Sequence, residues 1–209
     1  MCNGENLNSI AILCGGKSKR FGSDKTFHYI GDKTILENVY DKFKNKSDDI
    51  FLQTSNHDSN KKKKFKLNVK IYHDVIPDKG PLGGIYAALS NAKYDKVFIV
   101  AGDLPFVDEN IISELKIFDN HSIVVPKWQN GFVEPLCALY SKDIMPIVKK
   151  RLDSDNLKIN DCFKEIENNN RGDFKIKYLS IEDLIQNNNI SKNCFNNINC
   201  LEDLDNIKK

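Results

Sequence analysis

IAILCGGKSKRFGSDK, residues 10–25, anchors the reading of this chain. Its first five residues, Ile10 to Cys14, are apolar and read as a buried strand that breaks at Gly15-Gly16. Four cations follow, Lys17, Lys19, Arg20 and Lys25, with Gly22 among them. Glycines let backbone N–H groups approach a ligand and turn towards an anion. Crowded positive charges repel one another unless something anionic sits between them. Arg20 can fork onto phosphate oxygens and Lys25 can act as a point charge. Lys17 and Lys19 read equally well as solvated lysines. The spacing matches neither Walker A nor G-x-G-x-x-G, so neither a P-loop nor a nicotinamide-dependent oxidoreductase follows from it.

Working outward, short apolar runs alternate with amphipathic stretches. IFLQT (50–54), VKIYH (69–73), KVFIVAGD (96–103), SIVVP (122–126), EPLCALYS (134–141) and FKIKYLSI (174–181) read as strands. TILENVYDKF places Ile35, Val39 and Phe43 on one helical face, with Leu36 and Tyr40 beside them. PLGGIYAALSNA, VDENIISELKIF (with Asp108 as a candidate N-cap), 143–152 and 157–168 are expected to be helical, and LEDLDNIKK to close the chain as a short helix. The alternation predicts a three-layer α/β/α fold: a mainly parallel, Rossmann-like sheet with helices on both faces. At 209 residues, with no repeat and no linker, residues 1–209 are expected to form one domain.

Composition narrows the function. Thirty-one Lys and Arg against 29 Asp and Glu leave a net charge of +2, so any electrostatic site is local and no nucleic-acid partner is expected. No run approaches the ~18 apolar residues that span a bilayer, and MCNGENLNSI lacks the parts of a secretory signal. A cytoplasmic protein without a membrane partner is expected. Six scattered cysteines without C-x-x-C pairing read as free thiols. The lysine run 61–64 and the asparagine runs at 168–170 and 187–189 read as solvated loops.

In open α/β sheets ligands bind outside the carboxyl ends of the strands. Gly15 and Gly16 follow the first strand, Asp74 the third, and Asp103 ends KVFIVAGD. Asp103, in AGDLPF, is either the cap of a turn or a carboxylate for Mg²⁺, which takes one or two carboxylates and shares its other positions with phosphates and water. In DVIPDKGPLGGI, Gly80-Pro81-Leu82-Gly83-Gly84 makes a turn with little side-chain bulk. Such a turn suits either backbone reading of a flat ligand or tight packing.

Together, L-x-G-G-x-S-x-R-F-G-x-D-K at 13–25, D-x-x-P-x-x-G-P-L-x-G at 74–84, G-D-x-P-F at 102–106, E-P-L-x-A-L-Y at 134–140 and F-x-N-I-N at 195–199 resemble the molybdenum cofactor guanylyltransferase (MobA) family of nucleotidyltransferases. The resemblance implies transfer of GMP from GTP to the terminal phosphate of molybdopterin, with Mg²⁺ and release of pyrophosphate. It implies that Leu13, Cys14 and Gly15 line the guanine and ribose, and that Gly16, Arg20 and Lys25 face the phosphates. Asp74 with Gly80, Pro81 and Leu82 would hold the nucleoside, Asp103 would bind Mg²⁺, and Asn197 and Asn199 would lie on the pterin side. Apo-molybdoenzymes or other cofactor-assembly proteins would be partners.

Cys14 stands where the family usually has alanine, Phe21 where it often has methionine, and Asn199-Cys200-Leu201 where it continues N-T-P. The alternatives are a transferase that uses CTP or another acceptor, and a non-catalytic module that binds GTP or the cofactor.

Overall fold

The computed structural model of the chain describes residues 8–14, 25–55, 67–168 and 174–196. Seven strands form one sheet: β1 (Asn8–Leu13), β4 (Ile50–Thr54), β5 (Lys70–His73), β6 (Lys96–Ala101), β7 (Ile123–Lys127), β8 (Cys137–Ser141) and β9 (Ile176–Ser180), in spatial order β5-β4-β1-β6-β8-β7-β9. All neighbours pair in parallel except β8, which runs antiparallel to both β6 and β7. The linker 128–136 is too short for the crossover of a dozen or more residues that parallel partners need, so β7 and β8 are joined as a hairpin. The expected mainly parallel sheet is thus present.

Strand order reverses between β1 and β6, the adjacent central pair, in register from Asn8↔Lys96 to Leu13↔Ala101. Ligands of open α/β sheets bind in the crevice at such a switch point.

Both faces carry helices. On one lie α1 (Ile35–Phe43), α3 (Ile111–Lys116) and α6 (Ile181–Gln186), over a core that includes Ile10, Ile12, Phe98 and Val100. On the other lie α2 (Gly80–Asn91), α4 (Met145–Asp153) and α5 (Ile159–Glu167), over Ala11, Phe51, Val97 and Ile99. This alternation along β1 and β6 is the period-two signature of strands buried on both sides.

In α1, Ile35, Leu36, Val39 and Phe43 are buried, and Phe43 meets Phe98 with ring centroids 5.3 Å apart. A capping box starts that helix: the Glu37 N–H donates to Thr34 Oγ1 at 3.2 Å, and the Thr34 N–H donates to Glu37 Oε2 at 2.7 Å. Ahead of it sits a small hairpin, β2 (Tyr29–Ile30) and β3 (Lys33–Thr34), which turns through Gly31 at φ 61. Nothing in the apolar pattern announces strands this short.

Two local expectations differ. FKIKYLSI stops being a strand at Ser180, whose Oγ accepts from the Asp183 N–H at 3.1 Å and starts α6. A serine cap ahead of two acidic residues outweighed the apolar run. Asp108 is not the N-cap of α3, which is Asn110. Its carboxylate instead accepts from the N–H groups of Asn110 and Ser191, each at 3.0 Å. LEDLDNIKK and the run 61–64 lie outside the described residues. The described cysteines, Cys14, Cys137, Cys162 and Cys194, are buried, as expected of small hydrophobes. Among the described residues no helix is long and apolar enough to cross a membrane.

Candidate active site

The carboxyl ends of β5, β4, β1 and β6 lie along one rim of the sheet. Cys14 donates its N–H to Gln53 O at 2.8 Å, Gly102 donates to Leu13 O at 2.9 Å, and Asp74 donates to Thr54 O at 2.9 Å. These bonds tie the four strand ends into a continuous edge.

Asp103 leaves the end of β6 with its side chain 22 % exposed. Its position depends on Gly102, where an added Cβ would lie 3.2 Å from Leu13 O and 3.3 Å from both Cys14 Sγ and Leu36 Cδ1. Glycine is there for close approach. Lys25 opens the short turn Lys25–Phe27 on the far side of the cationic loop. Thr26 is buried and Phe27 packs against the core, so the backbone under Lys25 is held. The Lys25 ammonium makes a direct ion pair with Asp103 Oδ2. Lys25 and Asp103 thus meet at the carboxyl-end rim of the sheet. Gly15, Gly16 and Arg20 lie outside the described residues.

At the β5 end of the rim, Asp74 is half-buried. Burial pushes its carboxyl pKa up, while a hydrogen bond from Gln53 and the nearby His73 pull it down. Gln53 is fully buried; its Nε2 donates to Asp74 Oδ1 at 3.0 Å and its Oε1 accepts from Asn91 Nδ2 at 3.1 Å. The amide is thus fixed at both ends and aims the Asp74 carboxylate. Gly80 adopts φ 58, a conformation glycine takes without cost, and with Pro81 it is exposed at the start of α2.

The rest of that turn is packed. A Cβ at Gly83 would lie 2.7 Å from Lys79 Cβ, Gly84 abuts Leu13, and the Leu82 side chain is 1 % exposed within the core. Leu82 can meet a ligand only through its backbone, whose N–H belongs to the helix's first turn. Cys14 is buried the same way, its thiol donating to Ile12 O at 3.4 Å, so a ligand would meet its backbone.

Beyond Asp103 the rim changes character. Leu136 O accepts from the Ala101 N–H at 2.7 Å, which sets the turn before β8 beside the end of β6. Glu134 Oε1 accepts from Trp128 Nε1 at 2.8 Å, and Trp128 meets Phe195 edge-on at a centroid distance of 5.9 Å. Burial raises the pKa of Glu134, and the indole hydrogen bond partly offsets that. The segment ending at Asn196 docks on the loop after β6, where Asp108 N–H donates to Cys194 Sγ at 3.2 Å. Asn197 and Asn199 lie outside the described residues, but Phe195 of the same motif is buried against this wall. Trp128 and the contact role of Glu134 escaped the residue-level reading. Their one sequence signal is the chain's single tryptophan, placed shortly before the E-P-L motif.

Among the described residues no group of three or more His, Cys, Asp or Glu is placed to hold a metal ion. A divalent cation here would rely on Asp103 and on substrate oxygens. One carboxylate plus phosphate and water is a donor set that Mg²⁺ accepts, so the site fits such an ion.

Comparisons with known proteins bear on family and fold. The family described as "MobA-like NTP transferase domain" matches residues 10–166. A Thermococcus gammatolerans protein named "Probable molybdenum cofactor guanylyltransferase" is 34% identical over 206 residues, covering 95% of this chain and 98% of its own. Among solved structures, molybdopterin-guanine dinucleotide biosynthesis protein A from Archaeoglobus fulgidus superposes with a TM-score of 0.78 at 22% identity over 95% of each chain. A Mycobacterium tuberculosis protein solved in complex with manganese shares the fold at a TM-score of 0.62 and 15% identity, over 84% of this chain and 88% of its own.

Proposed function

Because the chain belongs to the MobA-like NTP transferase family, we propose that this nucleotidyltransferase moves GMP from GTP to the terminal phosphate of molybdenum-bound molybdopterin. An oxygen of that phosphate attacks the α-phosphorus. The bond from the α-phosphorus to the oxygen bridging to the β-phosphate breaks, and pyrophosphate leaves with both its electrons. The nucleophile is ionised at neutral pH, so no side chain need take its proton. Catalysis is then positioning and charge neutralisation.

The observation that carries this reading is the meeting of Lys25 and Asp103 across the β1–β6 switch point. Lys25, with Arg20 and the backbone of Gly15 and Gly16, neutralises the triphosphate. Leu13, Cys14, Asp74 and the Gly80–Leu82 helix start hold the nucleoside. Asp103 would hold Mg²⁺, which when bound withdraws charge from the phosphate oxygens under attack. Trp128, Glu134, Asn197 and Asn199 face the acceptor. The chain works as one domain, in the cytoplasm, and hands its product to apo-molybdoenzymes or their assembly proteins.

Pyrophosphate release with each of the four ribonucleoside triphosphates, with molybdopterin as acceptor, tests the assignment. GTP is expected to lead; a preference for CTP would overturn the guanylyl reading. GTP binding with no turnover on any acceptor would favour the non-catalytic module.

A further inference from the structure

In the proposed function Lys25 serves phosphate and Asp103 serves the metal. In the structure the two side chains pair with each other. The ammonium sits on Oδ2, the two side chains equally exposed. A divalent cation bound to that carboxylate at roughly 2.0–2.1 Å would need the same space. At a few Å separation, repulsion between the ammonium and a dication is far from negligible even near a protein surface.

We propose that Lys25 is the resident cation of the metal site: it holds Asp103 until a nucleoside triphosphate draws it away, which makes divalent-metal binding conditional on nucleotide. This rests on the reading of Asp103 as the metal ligand.

Three features support the exchange. The backbone beneath Lys25 is anchored by Thr26 and Phe27, so only the flexible four-carbon stem has to swing. Among the described residues no group of three or more His, Cys, Asp or Glu is placed to hold a metal ion. A carboxylate already paired with an ammonium is a poor site for a free dication. Phosphate oxygens change both sides of the balance, since they give the ammonium a new anion and the metal additional ligands. The exchange keeps Asp103 neutralised throughout.

Calorimetric titration tests this with two probes: Mn²⁺ without nucleotide, and GTP in the presence of a chelator. Lys25→Gln should bind Mn²⁺ about tenfold tighter than the unmodified protein and metal-free GTP about tenfold weaker, the scale of one charge contact of ~1.4 kcal/mol. Lys25→Arg, which keeps the cation, should leave Mn²⁺ binding weak. Asp103→Asn should lose Mn²⁺ binding yet bind metal-free GTP at least as tightly, because Lys25 is released. A merely structural lysine would not move the two affinities in opposite directions. If Lys25→Gln leaves Mn²⁺ affinity unchanged or lower while Asp103→Asn abolishes it, the exchange is wrong and the metal assignment stands. If Asp103→Asn binds Mn²⁺ like the unmodified protein, the metal assignment itself fails and the exchange falls with it.

Discussion

The two halves of the sheet differ in how they build the same rim. From β5 to β6 every strand runs in one direction, and the rim consists of strand ends tied by backbone hydrogen bonds, with Asp74 and Asp103 projecting from it. From β8 to β9 one strand is reversed. There the rim is a hairpin turn and a docked tail segment, lined by Trp128, Phe195 and Glu134. The parallel half presents backbone, charge and glycine, which suit a polyanionic nucleotide. The mixed half presents rings and a half-buried carboxylate, which suit a flat heterocycle. Reversing one strand gives a single edge two chemically different stretches, and in the proposed function the two substrates lie on either side of Asp103.

The largest expected effect tests the boundary between the halves. Asp103→Ala should lower kcat/KM for GMP transfer about 10³-fold, the several kcal/mol that metal-assisted charge stabilisation supplies. Steady-state assays at low and high Mg²⁺ would show it; transfer that survives at low Mg²⁺ would remove Asp103 from the metal site. On the mixed side, Trp128→Ala should cost about 2–3 kcal/mol of stability, because an aromatic ring packed against Phe195 is lost. Its acceptor KM should rise while GTP affinity holds. Equal losses for both substrates would erase the proposed division of labour.

Gly102→Ala probes how the parallel half places Asp103. The added methyl must push against Leu13 O and Leu36, and a cost of about 1–2 kcal/mol is expected in denaturant melts. The smallest effect belongs to Gln53→Leu, which removes the amide that aims Asp74. A loss of roughly fivefold in GTP affinity is expected, in line with one hydrogen bond of ~1 kcal/mol.

The pH dependence of that variant gives a further sign. Asp74 has a pKa already raised by burial, so nucleotide contacts that need its carboxylate are complete above that value and fade as pH falls through it. Gln53 opposes the rise. Its removal should therefore move the acid limb of GTP binding to higher pH, and an unmoved limb would separate Asp74 from nucleotide recognition.

Much of the site was legible because the chemistry is written in local motifs. Gly80 and Gly102 stand where a left-handed turn and a close strand approach exclude a side chain. Asp103 lies just beyond the end of β6, and Lys25 follows the glycine-rich cationic stretch. The Gly83–Gly84 pair was ambiguous between ligand reading and packing, and the structure shows tight contacts to Lys79 and Leu13. Sequence periodicity cannot separate those uses, since both ask for the smallest residue.

Other features depend on residues far apart in the chain. The Asn91–Gln53–Asp74 relay joins three elements through side chains whose spacing along the sequence carries no period. Trp128, Glu134 and Phe195 meet only because β8 is reversed and the tail docks beside the loop at Asp108.

By itself the sequence determined that this is an alternating α/β chain with a cationic glycine loop, a strand-end aspartate and a nucleotidyltransferase's order of motifs. Local sterics and apolar periodicity are short-range, so residues a few positions apart carry them. Only the tertiary structure decided which strands are neighbours, which one runs backwards, and that Lys25 rests on Asp103. Those outcomes follow from the pairing and burial of distant segments, where the free energy belongs to the packed sheet and not to any single stretch of it.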